Sequence, residues 1–441
     1  MSDLLQIGAS GLRAFNTKLA AIGENVSNAG TDGYTRRTVT LAEASANSSS
    51  SVSNLNGVRV QSVQRADDTF AATAKRSAAT DAAAATARST WLGNVQTALA
   101  DDATGVGQSA TTIFTAGQAL AADPGSTGNR KAFLSAIDQT AQAFNTTAKQ
   151  LQNAADDITA AAQGAVTTIN QSLDQLDNIN SQLHAVQPGT AAQANLLDQR
   201  DKMLDSVSAN IGIDVQFAAD GSATVQIAGG GATLAYSGKS AARLSVGATG
   251  GRLSLNATVN GVDQPITAPG GTLGGLVDSA DAVATQQTRL NDLATDFANQ
   301  LNSWSAAGTD ANGAAGAPLV SGTSAATLAV ATTDPTKVPA AKGGVSNGNL
   351  LTLDGLRGTS GIEQSWTRQV TDVGRQVAAA KTAATAASSR SDAANANFTA
   401  ATGVDTDSEA ADLVRYQQAY NAAAKVIQVA RDTMQALLQV I

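Results

Sequence analysis

RKAFLSAIDQTAQAFNTTAKQLQNAADDITAAAQGAVTTINQSLDQLDNINSQLHAV runs from Arg130 to Val186 without a proline. Leu134, Ala141, Ala148, Ala155, Ala162, Ile169, Leu176 and Leu183 recur every seven residues, and Ile137, Phe144, Leu151, Ile158, Ala165 and Ile179 form the second line of the seam. A helix of that length extends roughly 85 Å, which describes a rod and not a globule. Pro188 and Gly189 end it. Two further helices, Leu276 to Trp304 and Ile362 to Phe398, are expected to lie against it as a bundle.

The two chain ends carry shorter seams of the same kind. Leu5, Leu12, Leu19 and Val26 are seven apart, with Gly8, Phe15 and Ile22 three places after the first three. Leu413, Tyr420, Ile427, Met434 and Ile441 repeat likewise, with Tyr416, Ala423, Ala430 and Leu437 as the second line. Gly23 and Gly30 cost roughly 1 kcal/mol each against Ala in a helix, so the first segment is expected to be marginal alone and to order on incorporation into an assembly. Thr406 and Glu409 have capping-box spacing, with Asp405 and Asp407 beside them, so the last helix is expected to begin near Asp407.

Between Ile211 and Ile266, apolar and polar residues alternate and Asp-Gly, Gly-Gly and Asn-Gly pairs separate the runs, which predicts strands and hairpin turns. Residues 306–348 are rich in Gly, Ala, Thr and Pro and read as an irregular loop. The expected fold is therefore mainly α: an elongated, coiled-coil-like bundle formed by both ends and the middle, with a small antiparallel β domain inserted. Its expected division is a terminal unit of 1–45 plus 403–441, a helical rod of 46–205 plus 275–402, and the β domain of 206–274.

Composition removes several function classes. The net charge is −8 and no basic stripe is visible, which argues against nucleic-acid binding. There is no cysteine, hence no disulfide framework or thiolate metal site. No cleavable secretion signal and no membrane-spanning run is read from the sequence. His184, the single histidine, is expected to be a surface residue at a helix end. Asp67-Asp68, Asp101-Asp102 and Asp156-Asp157 are neighbours that diverge on a helix, so a solvated face explains them better than acid–base catalysis. Gly229 to Gly231 suits a hairpin turn better than a phosphate cradle, because no Lys-Ser/Thr pair or helix start follows. No enzyme, cofactor or metal is expected.

One more stretch stands out in a chain with only four tyrosines: NVSNAGTDGYTRR, Asn25 to Arg37. Asp32-Gly33 suits a tight turn that points Tyr34 back onto the preceding helix or onto a neighbour. Arg36 and Arg37 follow in an extended piece. The stretch resembles the amino-terminal signature of bacterial flagellar rod, hook and hook-associated proteins, with Asp32 where that family commonly has Pro. EAADLVRYQQAYNAAAKVI (409–427) is similar to the hook-associated protein 1 family in particular. So are NGVRVQSVQR (56–65), DPGS (123–126), LLDQRDKML (196–204) and LGGLVD (273–278), in that family's order.

The resemblance implies a structural subunit at the hook–filament junction, exported by the flagellar type III apparatus and attended by an export chaperone that holds the last helix. It implies copies of the chain itself, the hook protein and the second junction protein as partners, and neither nucleic acid nor membrane. The expected assembly residues are Leu5, Leu12, Phe15, Leu19, Ile22, Val26, Asn28, Tyr34, Arg36, Leu413, Tyr416, Tyr420, Ile427, Met434 and Leu437. The rival readings are a hook or distal-rod protein and, from another class, a coiled-coil adhesion or signalling module.

Overall fold

The computed structural model describes residues 2–44, 57–100, 102, 104–236 and 242–439; the Leu437 side chain and Ile441 lie outside that description. The elements are α1 (Ser2–Ser27), β1 (Arg37–Glu43), β2 (Val58–Arg65), α2 (Thr69–Ala98), α3 (Val106–Ala122), α4 (Thr127–Ala185) and α5 (Ala191–Asn210). They continue with β3 (Ile213–Phe217), β4 (Ala223–Ile227), β5 (Thr233–Ala235), β6 (Arg243–Thr249), β7 (Arg252–Val259), β8 (Val262–Ile266), α6 (Gly271–Ala306), α7 (Ile362–Thr402) and α8 (Thr406–Leu438). The architecture is mainly α and elongated, with small antiparallel sheets.

Helix α4 is the spine. Ser126 caps it by accepting the Asn129 amide, and its 59 residues span about 88 Å. Its heptad stripe is buried from Phe133 to Leu183 against α3, α5 and α6. Phe144 stacks on Phe297 with ring centres 6.0 Å apart, and Phe133 lies 5.8 Å from Trp304. Scattered aromatic pairs and many alanines make a thin core that repeats along the rod.

Strands order as β3-β4-β5 and β6-β7-β8, all antiparallel, and Gly229 and Gly230 take positive φ in the turn that leads to β5. Asparagines on the spine hold both sheets. The Asn180 amide donates to the Ala223 carbonyl and accepts the Ala223 N–H (2.9 and 2.8 Å), and Asn170 does the same to Leu244 (3.0 and 2.9 Å). A side-chain amide reproduces the donor–acceptor pair of a strand, which is why a helix can grip a sheet this way.

Residues 306–348 hold only two-residue strands and short 3-10 turns, and they are not a solvated loop. Leu319, Val320, Leu328, Val338 and Ala340 are buried, and Asn145, Asn291 and Asn302 bond the backbone between Leu319 and Leu328. Helices α2, α3 and α5 and the β1–β2 hairpin were not anticipated. The α2 sequence is so alanine-rich that no apolar stripe marks it.

The start of α8 corrects the capping expectation. Asp405, not Thr406, accepts the Asp407 and Ser408 amides (3.0 and 3.3 Å), and the helix begins at Thr406. Glu409 does not reach back to close a capping box; it bonds Asn25 instead.

Candidate assembly surface and its anchor

Helices α1 and α8 pair antiparallel within one chain. Lys18 Nζ donates to the Tyr416 hydroxyl (2.8 Å), and the Phe15 and Tyr416 rings are 6.3 Å apart. A Cβ on Gly8 would lie 2.5 Å from Ile427 Cγ1 and one on Gly11 would lie 3.4 Å from the Ala423 Cβ, so glycine lets the axes approach. Burial works to raise the Tyr416 hydroxyl, but the hydrogen bonds from Lys18 and Arg415 outweigh it and lower the pKa.

Of the two expected rows on each helix, the second makes the contact and the first stands beside it. The contact follows Gly8, Gly11, Phe15, Lys18, Ile22 and Asn25 on α1 and Glu409, Asp412, Tyr416, Ala419, Ala423 and Ala430 on α8. Leu5, Leu12 and Leu19 stand about a quarter turn away and stay half-buried, while Val26 is exposed. Leu413 and Ile427 are half-buried, and Tyr420 and Met434 are exposed. In an antiparallel pair both rows are displaced to the same side, so they form one apolar face. The β1–β2 hairpin covers the opposite side of α1, where Gly57 sits against Ile7 and Ser10.

Asn25 closes the base of the pair, and Tyr34 points back onto it from the turn. Its Oδ1 accepts from the Tyr34 hydroxyl and the Arg37 amide (both 2.8 Å), and its Nδ2 donates to the Arg37 carbonyl (2.9 Å) and Glu409 Oε1 (3.0 Å). Every bonding position of the amide is used. Burial pushes the Tyr34 hydroxyl up to about 12, against the lowering effect of the Arg37 charge. Asn28 acts locally, donating to the Glu24 carbonyl and accepting from Thr31. The Arg36 amide donates to the Thr402 carbonyl (2.9 Å), while its Nε is buried without a partner.

Beyond this base lies a charge cluster. Asp198, Asp201 and Asp205 fall on one face of α5. Asp198 takes Arg37 (2.7 Å), Arg65 (3.2 Å) and Thr35 (2.7 Å); Asp201 takes Arg65 (2.5 Å) and Arg200 (2.7 Å); Asp205 takes Lys75 (2.8 Å) and Arg76 (3.6 Å). Burial would raise the Asp201 carboxyl, yet the Arg200 and Arg65 charges hold it below its ordinary value. Asn25, Lys18, Glu409 and the α5 aspartates were all missed as site residues, although Asn25 opens the signature and the aspartates sit in or beside LLDQRDKML.

His184 Nδ1 contacts the Asp220 carboxylate, a partner the sequence did not suggest, at the exposed end of α4. Among the described residues no group of three or more His, Cys, Asp or Glu is arranged to hold a metal, and no helix is long and apolar enough to cross a membrane.

Comparison with known families decides what this pair belongs to. The profile of the flagellar hook-associated protein FlgK helical domain matches residues 92–320, more than half of the chain. The chain belongs to the FlgK family. The ends match two further flagellar profiles, flagella basal body rod protein at residues 5–35 and flagellar basal body rod FlgEFG protein C-terminal at residues 396–440. Flagellar hook-associated protein 1 of Escherichia coli K12 is 28% identical over 326 residues, covering 72% of this chain and 59% of the relative. The Bacillus subtilis 168 protein of that name is 25% identical over 240 residues, covering 51% and 47%. This FlgK-family chain therefore spans less than two thirds of the length of the relatives it matches. A solved structure, the flagellar hook junction protein FlgK from Burkholderia pseudomallei, shares the fold with a TM-score of 0.51 at 23% identity, over 56% of this chain and 46% of that one.

Proposed function

We propose that this chain is a structural subunit of the flagellar hook–filament junction, built into a tube by packing the open face of its α1/α8 pair against neighbouring copies. The observation that carries this reading is the placement of Leu5, Leu12, Leu19 and Val26 beside Leu413, Tyr420 and Met434, on the side of the pair that the hairpin leaves uncovered. Rows left half-buried or exposed beside the contact need a cover, and a head-to-tail array supplies it. In this arrangement the terminal unit lines the tube, the helical rod forms the wall and the strands of residues 206–274 face outward. The hook protein and the second junction protein bound the array, and the chain leaves the cell through the type III apparatus with a chaperone on α8. The helical-domain match favours the junction over a hook or distal-rod role, since the two end profiles are named for rod proteins.

The test is chromosomal replacement by a Leu12→Asp, Tyr420→Asp double variant. The expected result is hooks without filaments, with filament protein shed into the medium, while the purified variant keeps its helicity. Normal filaments and normal swimming would refute the reading.

A further inference from the structure

The apolar core and the terminal unit are separate bodies. The continuous core runs from Val95 on α2 to Val373 on α7 and, among the described residues, takes in nothing from α1, β1, β2 or α8. The chain crosses between the two bodies only at residues 66–68 and 403–405. What joins them is polar. Thr35, Arg37 and Arg65 converge on Asp198, Arg65 also reaches Asp201, Val63 donates its amide to the Gly189 carbonyl (2.8 Å) and Arg36 donates its amide to Thr402. The Arg37 and Arg65 side chains are almost fully buried, so solvent does little to screen these pairs.

We infer that Asp198 is a latch: by holding Arg37 of β1 and Arg65 of β2 together, it fixes the angle at which the terminal unit stands on the rod. Apolar surfaces slide at little cost, whereas charge-assisted hydrogen bonds hold a direction. Asp198 alone receives donors from the α1–β1 linker and from both strands of the hairpin. Its loss frees the hairpin and, with it, the α1/α8 pair, to swing as one unit about residues 66–68 and 403–405. Asp205 is tied only to Lys75 and Arg76 of α2, so it belongs to the rod and takes no part in the latch. The latch positions the face assigned above to assembly, but its existence does not depend on assembly.

The absence of cysteine makes the full chain suitable for paired spin labels. Labels at Gln171→Cys on α4 and Asn421→Cys on α8 report the angle, and labels at Arg13→Cys and Asn421→Cys report the helix pair itself. In the otherwise unchanged chain the 171–421 distance is expected as one narrow peak. Asp198→Asn should broaden or split that peak while leaving the 13–421 distance and the far-ultraviolet helicity unchanged, and Asp205→Asn should leave both distances as they are. An unaltered 171–421 peak in Asp198→Asn would overturn the latch. So would equal broadening in Asp205→Asn, or loss of rod helicity in Asp198→Asn, because either would make the cluster a general stabiliser. The free chain is measured throughout, so failure here leaves the assembly reading standing, and failed assembly leaves the latch standing.

Discussion

The rod and the terminal pair are both long helices packed side by side, but they are packed by different means. Along α4 the stripe from Phe133 to Leu183 is buried, and Phe144, Phe297, Phe133 and Trp304 fill it, so the rod carries its own driving force for folding. Between α1 and α8 the contact is made by Gly8, Gly11, Ala423 and the Lys18–Tyr416 hydrogen bond, while the leucines stand to one side. In the rod the large apolar residues make the fold. In the pair Phe15, Ile22 and Tyr416 join the contact, while Leu5, Leu12 and Leu19 stand beside it half-buried.

Four substitutions separate the two regions. The largest effect belongs to the rod: Phe144→Ala should cost about 3–5 kcal/mol, read as a shifted denaturant midpoint for the whole rod, because the cavity sits in its core. Asn25→Ala comes next. It takes the Asn25 amide away from Tyr34, Arg37 and Glu409, at about 1–3 kcal/mol in all. Amide exchange should show that loss in α1 and the hairpin and not in α4; equal loss in α4 would merge the two regions.

Gly23→Ala has the opposite sign and a smaller size. No atom lies within 4 Å of the added Cβ, so α1 should gain up to about 1 kcal/mol and more helix in the free chain. The last effect shows only at alkaline pH. The Tyr34 phenol ionises near 10 when unfolded and near 12 when folded, so the unfolded state gives up its proton first. The contribution of Tyr34 is whole below pH 10 and is lost between 10 and about 12. Tyr34→Phe should remove that part of the slope, measured as the difference between the two stability–pH curves.

What the sequence made legible follows the same division. The α4 stripe, α6 and α7 could be read because a seam that folds on itself must be apolar at helical spacing, and nearly every residue of the Arg130–Val186 pattern is buried. In the terminal pair the heptads pointed to the right two helices and to the row of each that makes the contact, but not to the half-buried standing of Leu5, Leu12 and Leu19 beside it, because spacing alone does not say which of two apolar rows a partner covers. Helix α2 left no pattern because alanine packs without one. The α5 cluster needed the fold: nothing in LLDQRDKML says that Arg37 and Arg65 lie across from Asp198. Asn170 and Asn180 belong to the same class, polar residues whose partners are strands far along the chain.

Hydrogen exchange on the full-length free chain, repeated after its addition to purified hooks, tests the central claim most directly. Strong protection along α4 in both states, with measurable but lower protection of Leu5–Val26 and of α8 that rises on addition, is the predicted result. Protection of Leu5–Val26 in the free chain equal to that of α4 would contradict it.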